Sequence, residues 1–185
     1  MTNRCFISIN LPEKVILEIV KIQKQLEKEN LFVGKFTEPE NLHLTLKFLG
    51  EVDEDKIEDI KERLGKIKSK SFETELGECG FFDNRKSKRF PKKFIIWIHL
   101  TNCENLQKEV DKALSGLFEK EKRFMSHLTI TRVKKIKDKI KLIEFLNKIK
   151  TRGIKFNVDK FYLMESKLSK KGSEYSVIEE FILEN

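Results

Sequence analysis

Apolar positions along the chain recur at two spacings, one suited to strands and the other to helices. From Arg4 to Leu11 they form a strand-like run, and Pro12 then opens a helix whose Val15, Ile19, Ile22 and Leu26 share one face. A second strand is predicted through Leu42, His43, Leu44, Thr45, Leu46, Lys47, Phe48 and Leu49, ended by Gly50. Asp53 is placed to cap the next helix, which carries Ile57, Ile60, Leu64 and Ile67. Strands over 72–82 and 94–100 follow.

The second half repeats this order. Leu106, Val110, Leu114 and Leu117 mark a helix, and His127, Leu128, Thr129, Ile130 and Thr131 a strand. Leu142, Leu146 and Ile149 mark another helix. Strands near 154–165 and 174–183 close the chain, separated by the turn residues Lys171, Gly172 and Ser173. Strand, helix, His-Leu-Thr strand, helix, strand thus occurs twice, in approximate repeats 4–80 and 94–183. Such a duplication predicts two similar lobes about an approximate two-fold axis, with equivalent positions facing each other across the seam. His43 and His127 are equivalent positions.

At 185 residues the chain suits one bilobal domain spanning 1–185. Apolar residues make up 39% and charged residues 37%, too hydrophobic in periodic segments for disorder and too charged for a membrane protein. Met1, Thr2, Asn3 and Arg4 lead straight into a strand with no signal-peptide pattern, and no apolar run approaches the ~20 residues of a membrane span. A cytoplasmic location is expected, with a monomer as the default. The formal charge of +8 favours a polyanionic partner, because Lys and Arg displace condensed counterions from phosphates. Cys5, Cys79 and Cys103 lack the close spacing of a zinc site or a disulfide framework and are expected as buried, reduced thiols.

Residues two apart on a strand project from the same face. His43 and Thr45 are therefore expected on one side, with Leu44, Leu46 and Phe48 on the other; His127, Thr129 and Thr131 likewise oppose Leu128 and Ile130. Two imidazoles with ordinary pKa values of about 6.5 can divide into one neutral base and one protonated acid near neutral pH. Phosphodiester hydrolysis uses such a pair: one deprotonates water for in-line attack on phosphorus, and the other protonates the departing ribose oxygen. The Thr45 and Thr129 hydroxyls can donate to non-bridging phosphate oxygens. No metal or other cofactor is expected, since His99 is the only other histidine and has no carboxylate or cysteine at ligand spacing.

These residues resemble the two-histidine phosphoesterase superfamily, and within it the RNA 2',3'-cyclic phosphodiesterases formerly described as 2'-5' RNA ligases. The resemblance runs from Arg4 through Pro12, over Pro39 to Gly50, over His127 to Arg132, and through Glu165, Ser166, Lys167, Leu168, Gly172 and Tyr175. It implies an α+β fold of two duplicated lobes, each an antiparallel sheet with helices on its outer face, around a central cleft. It also implies His43 as proton donor, His127 as proton acceptor and an RNA 2'-phosphate as product. RNA with 2',3'-cyclic phosphate ends is the implied partner, with transfer RNA fragments as one candidate.

Arg132 matches a basic position that in relatives contacts phosphate or nucleotide, and a guanidinium suits that task through paired donors. Strict strand parity puts it on the core side, so reaching the cleft requires the strand to end or bulge after Thr131. Phe48 and Phe124 are each open to two readings, a stacking surface for a base or a core side chain. Met125 and Ser126 stand where relatives commonly carry proline before the second histidine. The basic run 84–93 can guide an RNA backbone or simply form a solvated hairpin tip. Two further functions stay open: 2'-5' RNA ligation by the reverse chemistry, and a non-catalytic RNA-binding module.

Overall fold

The computed structural model describes residues 2–83, 94–151, 153–169 and 172–185. Its first half runs β1 (Thr2–Asn10), α1 (Glu13–Glu29), β2 (Phe32–Phe36), β3 (His43–Asp53), α2 (Glu54–Gly65) and β4 (Phe72–Asp83). The second half runs β5 (Phe94–Leu100), α3 (Glu104–Ala113), β6 (His127–Ile136), α4 (Lys139–Lys148), β7 (Lys155–Val158), β8 (Lys160–Ser169) and β9 (Gly172–Ile182). The predicted strand near 154–165 is thus two strands, which part at Asp159. The basic run 84–93 and Lys171 lie outside the described residues.

All strand pairings are antiparallel, in the order β7-β4-β5-β6-β3-β1-β8-β9, with β2 on the free stretch of β6. The architecture is α+β, as expected, with one curled antiparallel sheet in which the two halves exchange strands: β4 lies between β7 and β5, and β8 and β9 extend the sheet beyond β1. β3 and β6 meet at a single residue pair, Leu44 with Leu128, and diverge on either side of it. Helix α1 packs on β6, α2 and α3 on β3, and α4 on β4. Each buries the face its periodicity predicts, for example Val15, Ile19, Ile22 and Leu26 of α1.

Some expectations need correcting. Asp53 occupies the cap position of α2, but its side chain makes no capping bond and pairs instead with Lys56 at 2.8 Å. Helix α3 stops at Ala113, short of Leu117, and the chain turns at Gly116 with φ of +85°. The parity of both histidine strands also breaks. On β3, Leu46 and Leu49 are extra residues against β1; on β6, Ile130 is extra against β5. After each bulge the faces exchange. Lys47 and Thr131 therefore turn into the core, and Phe48 and Arg132 turn outward.

The Ile130 bulge is held in place. Gln23 of α1 donates through Nε2 to the carbonyls of Ile130 and Thr37, both at 2.9 Å, and Thr37 N donates to the Ile130 carbonyl at 3.0 Å. β2 lies close alongside, and a Cβ at Gly34 would stand 2.7 Å from the Arg132 carbonyl oxygen, so only glycine fits. On the other strand, buried Lys47 pairs with buried Asp111 of α3 and donates to the Glu119 carbonyl at 2.7 Å. Asp111 also accepts from Gln107 Nε2 at 2.8 Å and from the Glu121 amide at 3.1 Å. Burial pushes the Asp111 carboxyl up, but these donors outweigh it and its pKa is lowered.

Cys5, Cys79 and Cys103 are buried free thiols, with pKa values pushed up by burial to about 11, 12 and 11. Among the described residues, no helix is long and apolar enough to cross a membrane.

Candidate active site

Beside the single β3–β6 contact lies a cavity of about 240 Å³ lined by His43, Thr45, His127 and Thr129, among other residues. The two His-Leu-Thr strands thus meet at one place, with Leu44 and Leu128 directed to the core between them.

Both imidazoles are anchored alike. Nδ1 of His43 lies 2.8 Å from the Asn41 carbonyl oxygen, and Nδ1 of His127 lies 2.7 Å from that of Met125. A carbonyl oxygen only accepts, so Nδ1 carries the proton and Nε2 is the lone-pair nitrogen of each neutral ring. His43 Nε2 is 3.0 Å from Thr45 Oγ1, whose hydroxyl can donate to it.

Aromatic rings fix the imidazole planes. Phe6 lies 4.9 Å from His43 between ring centroids and Tyr175 5.1 Å, the latter edge-on. Phe82 meets His127 edge-on at 5.1 Å and rests on Trp97 at 5.2 Å. Burial drives the His43 pKa down to about 4; the charges of Arg132 and His127 add to this, and the bond to Asn41 opposes it. Burial also lowers the His127 pKa, against its bond to Met125. Both rings are therefore neutral at pH 7 in the free cavity.

Of the other expected residues, Phe48 and Arg132 both line the cavity. The bulge that turns Arg132 outward precedes Thr131, and Thr131 is fully buried instead of sharing the face of His127 and Thr129. Phe124 is partly buried against the core and does not line the cavity.

Sequence reasoning missed several lining residues. Arg4 and Phe6 come from β1, Thr37 and Asn41 from the segment before β3, and Ser166, Leu168, Ser173 and Tyr175 from the β8–β9 hairpin. The β1 residues were accessible in principle, since regular alternation there puts Arg4, Phe6 and Ser8 on one face. The hairpin residues come from the far end of the chain, and Asn41 holds them through a 3.0 Å bond from Nδ2 to the Ser173 carbonyl. Among the described residues, no group of three His, Cys, Asp or Glu side chains is placed to hold a metal ion.

Two histidines and two threonines from matched strands of one curled antiparallel sheet thus stand around a single cavity. The family model "LigT like Phosphoesterase" matches residues 9–91 and 100–175, and the chain belongs to that family. The chain is 37% identical over 182 residues to the RNA 2',3'-cyclic phosphodiesterase of Methanocaldococcus jannaschii, a match covering 96% of this chain and 99% of that protein. It is 35% identical over 184 residues to the RNA 2',3'-cyclic phosphodiesterase of Thermotoga maritima, covering 96% and 94%. In fold it is similar to E. coli LigT in apo form, with a TM-score of 0.77 at 19% identity over 100% of this chain and 99% of the other. E. coli LigT complexed with 3'-AMP gives a TM-score of 0.77 at 21% identity, with 100% of both chains covered.

Proposed function

We propose that the protein hydrolyses 2',3'-cyclic phosphate ends of RNA to 2'-phosphates without a metal ion. One observation carries the reading: two histidines, each with Nδ1 tied to a backbone carbonyl, share one small cavity with Thr45, Thr129 and Arg132. The relatives from Methanocaldococcus jannaschii and Thermotoga maritima, both named RNA 2',3'-cyclic phosphodiesterase, support it.

In this mechanism water attacks phosphorus as the P–O3' bond breaks. His127 takes the water proton at Nε2 while His43, protonated at Nε2, gives its proton to O3'. Thr45 and Thr129 donate to the non-bridging oxygens, and the Arg132 guanidinium adds paired donors to the phosphate. Because burial keeps His43 neutral in the free cavity, the acid form arises as the phosphate enters and its negative charge favours the imidazolium. The same reading takes residues 1–185 as one bilobal domain, acting as a cytoplasmic monomer on RNA fragments such as those of transfer RNA.

The test is incubation with a short RNA ending in a 2',3'-cyclic phosphate, in the presence of EDTA, with 2'- and 3'-phosphate products resolved. Conversion to the 2'-phosphate is expected for the wild type and lost in His43→Ala and His127→Ala. An unchanged cyclic end overturns the hydrolytic reading in favour of a non-catalytic RNA-binding module.

A further inference from the structure

The cavity of about 240 Å³ is smaller than the pockets that enclose a whole small-molecule ligand, typically about 300–1,000 Å³. It suits a ribose with its phosphate, so the rest of an RNA chain must leave over the rim. Arg4 stands on that rim.

Regular alternation along β1 puts Arg4 on the same face as Phe6, which packs on the His43 ring. Arg4 therefore projects one pleat repeat beyond Phe6, about 7 Å along the strand. That is the scale of the step between successive phosphates in an RNA strand. Its guanidinium carbon lies 5.0 Å from the centroid of the Phe48 ring. Phe48 is 54% exposed, a large apolar side chain turned to the cavity by the bulge at Leu46.

No carboxylate pairs with Arg4 among the described residues; Glu51, its partner across the strands, accepts from the Thr2 hydroxyl at 3.3 Å. A guanidinium spread on an aromatic ring keeps its charge and its outward donors while giving up much of its rotamer freedom. It is thus prepared to receive an anion at the point where a bound chain leaves the cavity.

We propose that Arg4, seated on Phe48, binds the internucleotide phosphate on the 5' side of the terminal ribose, so that the site prefers RNA ends to cyclic mononucleotides. This rests on the phosphodiesterase reading of the cavity and assigns the two guanidiniums different anions. Arg132 serves the reacting phosphate, and Arg4 serves its neighbour one nucleotide upstream.

The test compares binding of two product-like ligands, adenosine 2'-phosphate and the dinucleotide ApA carrying a terminal 2'-phosphate, by calorimetry. The wild type binds the dinucleotide more tightly. Arg4→Met, whose folding is checked by its melting temperature, weakens the dinucleotide by about tenfold, the scale of one charge-assisted hydrogen bond, and leaves the mononucleotide unchanged. Its salt dependence on the dinucleotide becomes shallower by about 0.7 in log–log slope, as for one lost phosphate contact. Arg4→Lys keeps part of the preference, and Phe48→Leu loses part of it. No preference in the wild type, equal weakening of both ligands, or an undiminished preference in Arg4→Met overturns the proposal. Because binding is read without turnover, tight ligand binding by a protein that leaves cyclic ends intact overturns the hydrolytic reading alone.

Discussion

Phe48 and Arg132 face one cavity from matching places in two strands, each turned there by a bulged residue two positions upstream, Leu46 and Ile130. The halves are alike in how they hold their histidines and unlike in what stands beside them. An aromatic ring flanks the site from one strand and a guanidinium from the other.

That asymmetry bears on pH dependence. The charge of Arg132 helps to hold the His43 pKa down, so Arg132→Gln should let it rise. A donor with a higher pKa keeps its proton further into the alkaline range, and the alkaline limb of the kcat/KM profile should move up. The same change should lower kcat/KM about 10- to 100-fold through lost donors to the phosphate. A lower kcat/KM with an unmoved limb would show that Arg132 acts on the substrate alone.

His43→Gln and His127→Gln should each reduce kcat by about 10²- to 10⁴-fold. The two act on one reaction step, so the double variant should fall well short of the product of the single losses. Single-turnover rates on a cyclic-ended RNA measure this, and multiplicative losses would contradict a concerted pair.

Acid should unfold the protein through the same histidine. His43 stays neutral in the fold down to about pH 4, while its ordinary value is 6.5. Between those values the unfolded chain binds more protons, so stability is complete above pH 6.5 and lost as pH falls towards 4. Melting temperatures across this range should decline, and His43→Gln should decline less steeply.

The buried Lys47–Asp111 pair gives a fourth prediction. Removing one charge leaves the other uncompensated, so Lys47→Met should cost about 3–5 kcal/mol. Replacing both, with Asp111→Leu added, should recover much of that loss. Denaturant unfolding measures both, and a double variant no better than the single would point to the bonds from Gln107 and Glu121 as the larger contribution.

Periodicity alone located the helix faces and both histidine strands, because each buries a full apolar stripe. β2 escaped notice: it is five residues long, contains Gly34 and keeps Val33 exposed, so it has no alternation to read. The bulge on β3 escaped for a different reason, and the one on β6, considered only after Thr131, sits at Ile130. Leu46 and Ile130 are extra only relative to β1 and β5, and a period-two count on one strand cannot sense its partner. The repeat held a clue nonetheless, since Phe48 and Arg132 lie at the same offset from their histidines. Tyr175 and Leu168 reach the cavity through a hairpin far along the chain, which only tertiary structure brings close.

The pairing of Leu44 with Leu128 has a mechanical consequence. It is the one rung joining β3 to β6 among the described residues, and each leucine sits between a histidine and a threonine of the cavity. Within the sheet, β3, β1, β8 and β9 are thus hinged on a single rung to β6, β5, β4 and β7, and points beside a pivot are displaced least. Breathing of these two strand groups would swing the far rims, Arg4 among them, through the widest arc. The imidazoles would stay almost still, keeping their alignment on phosphorus while the entrance widens to admit or release a chain.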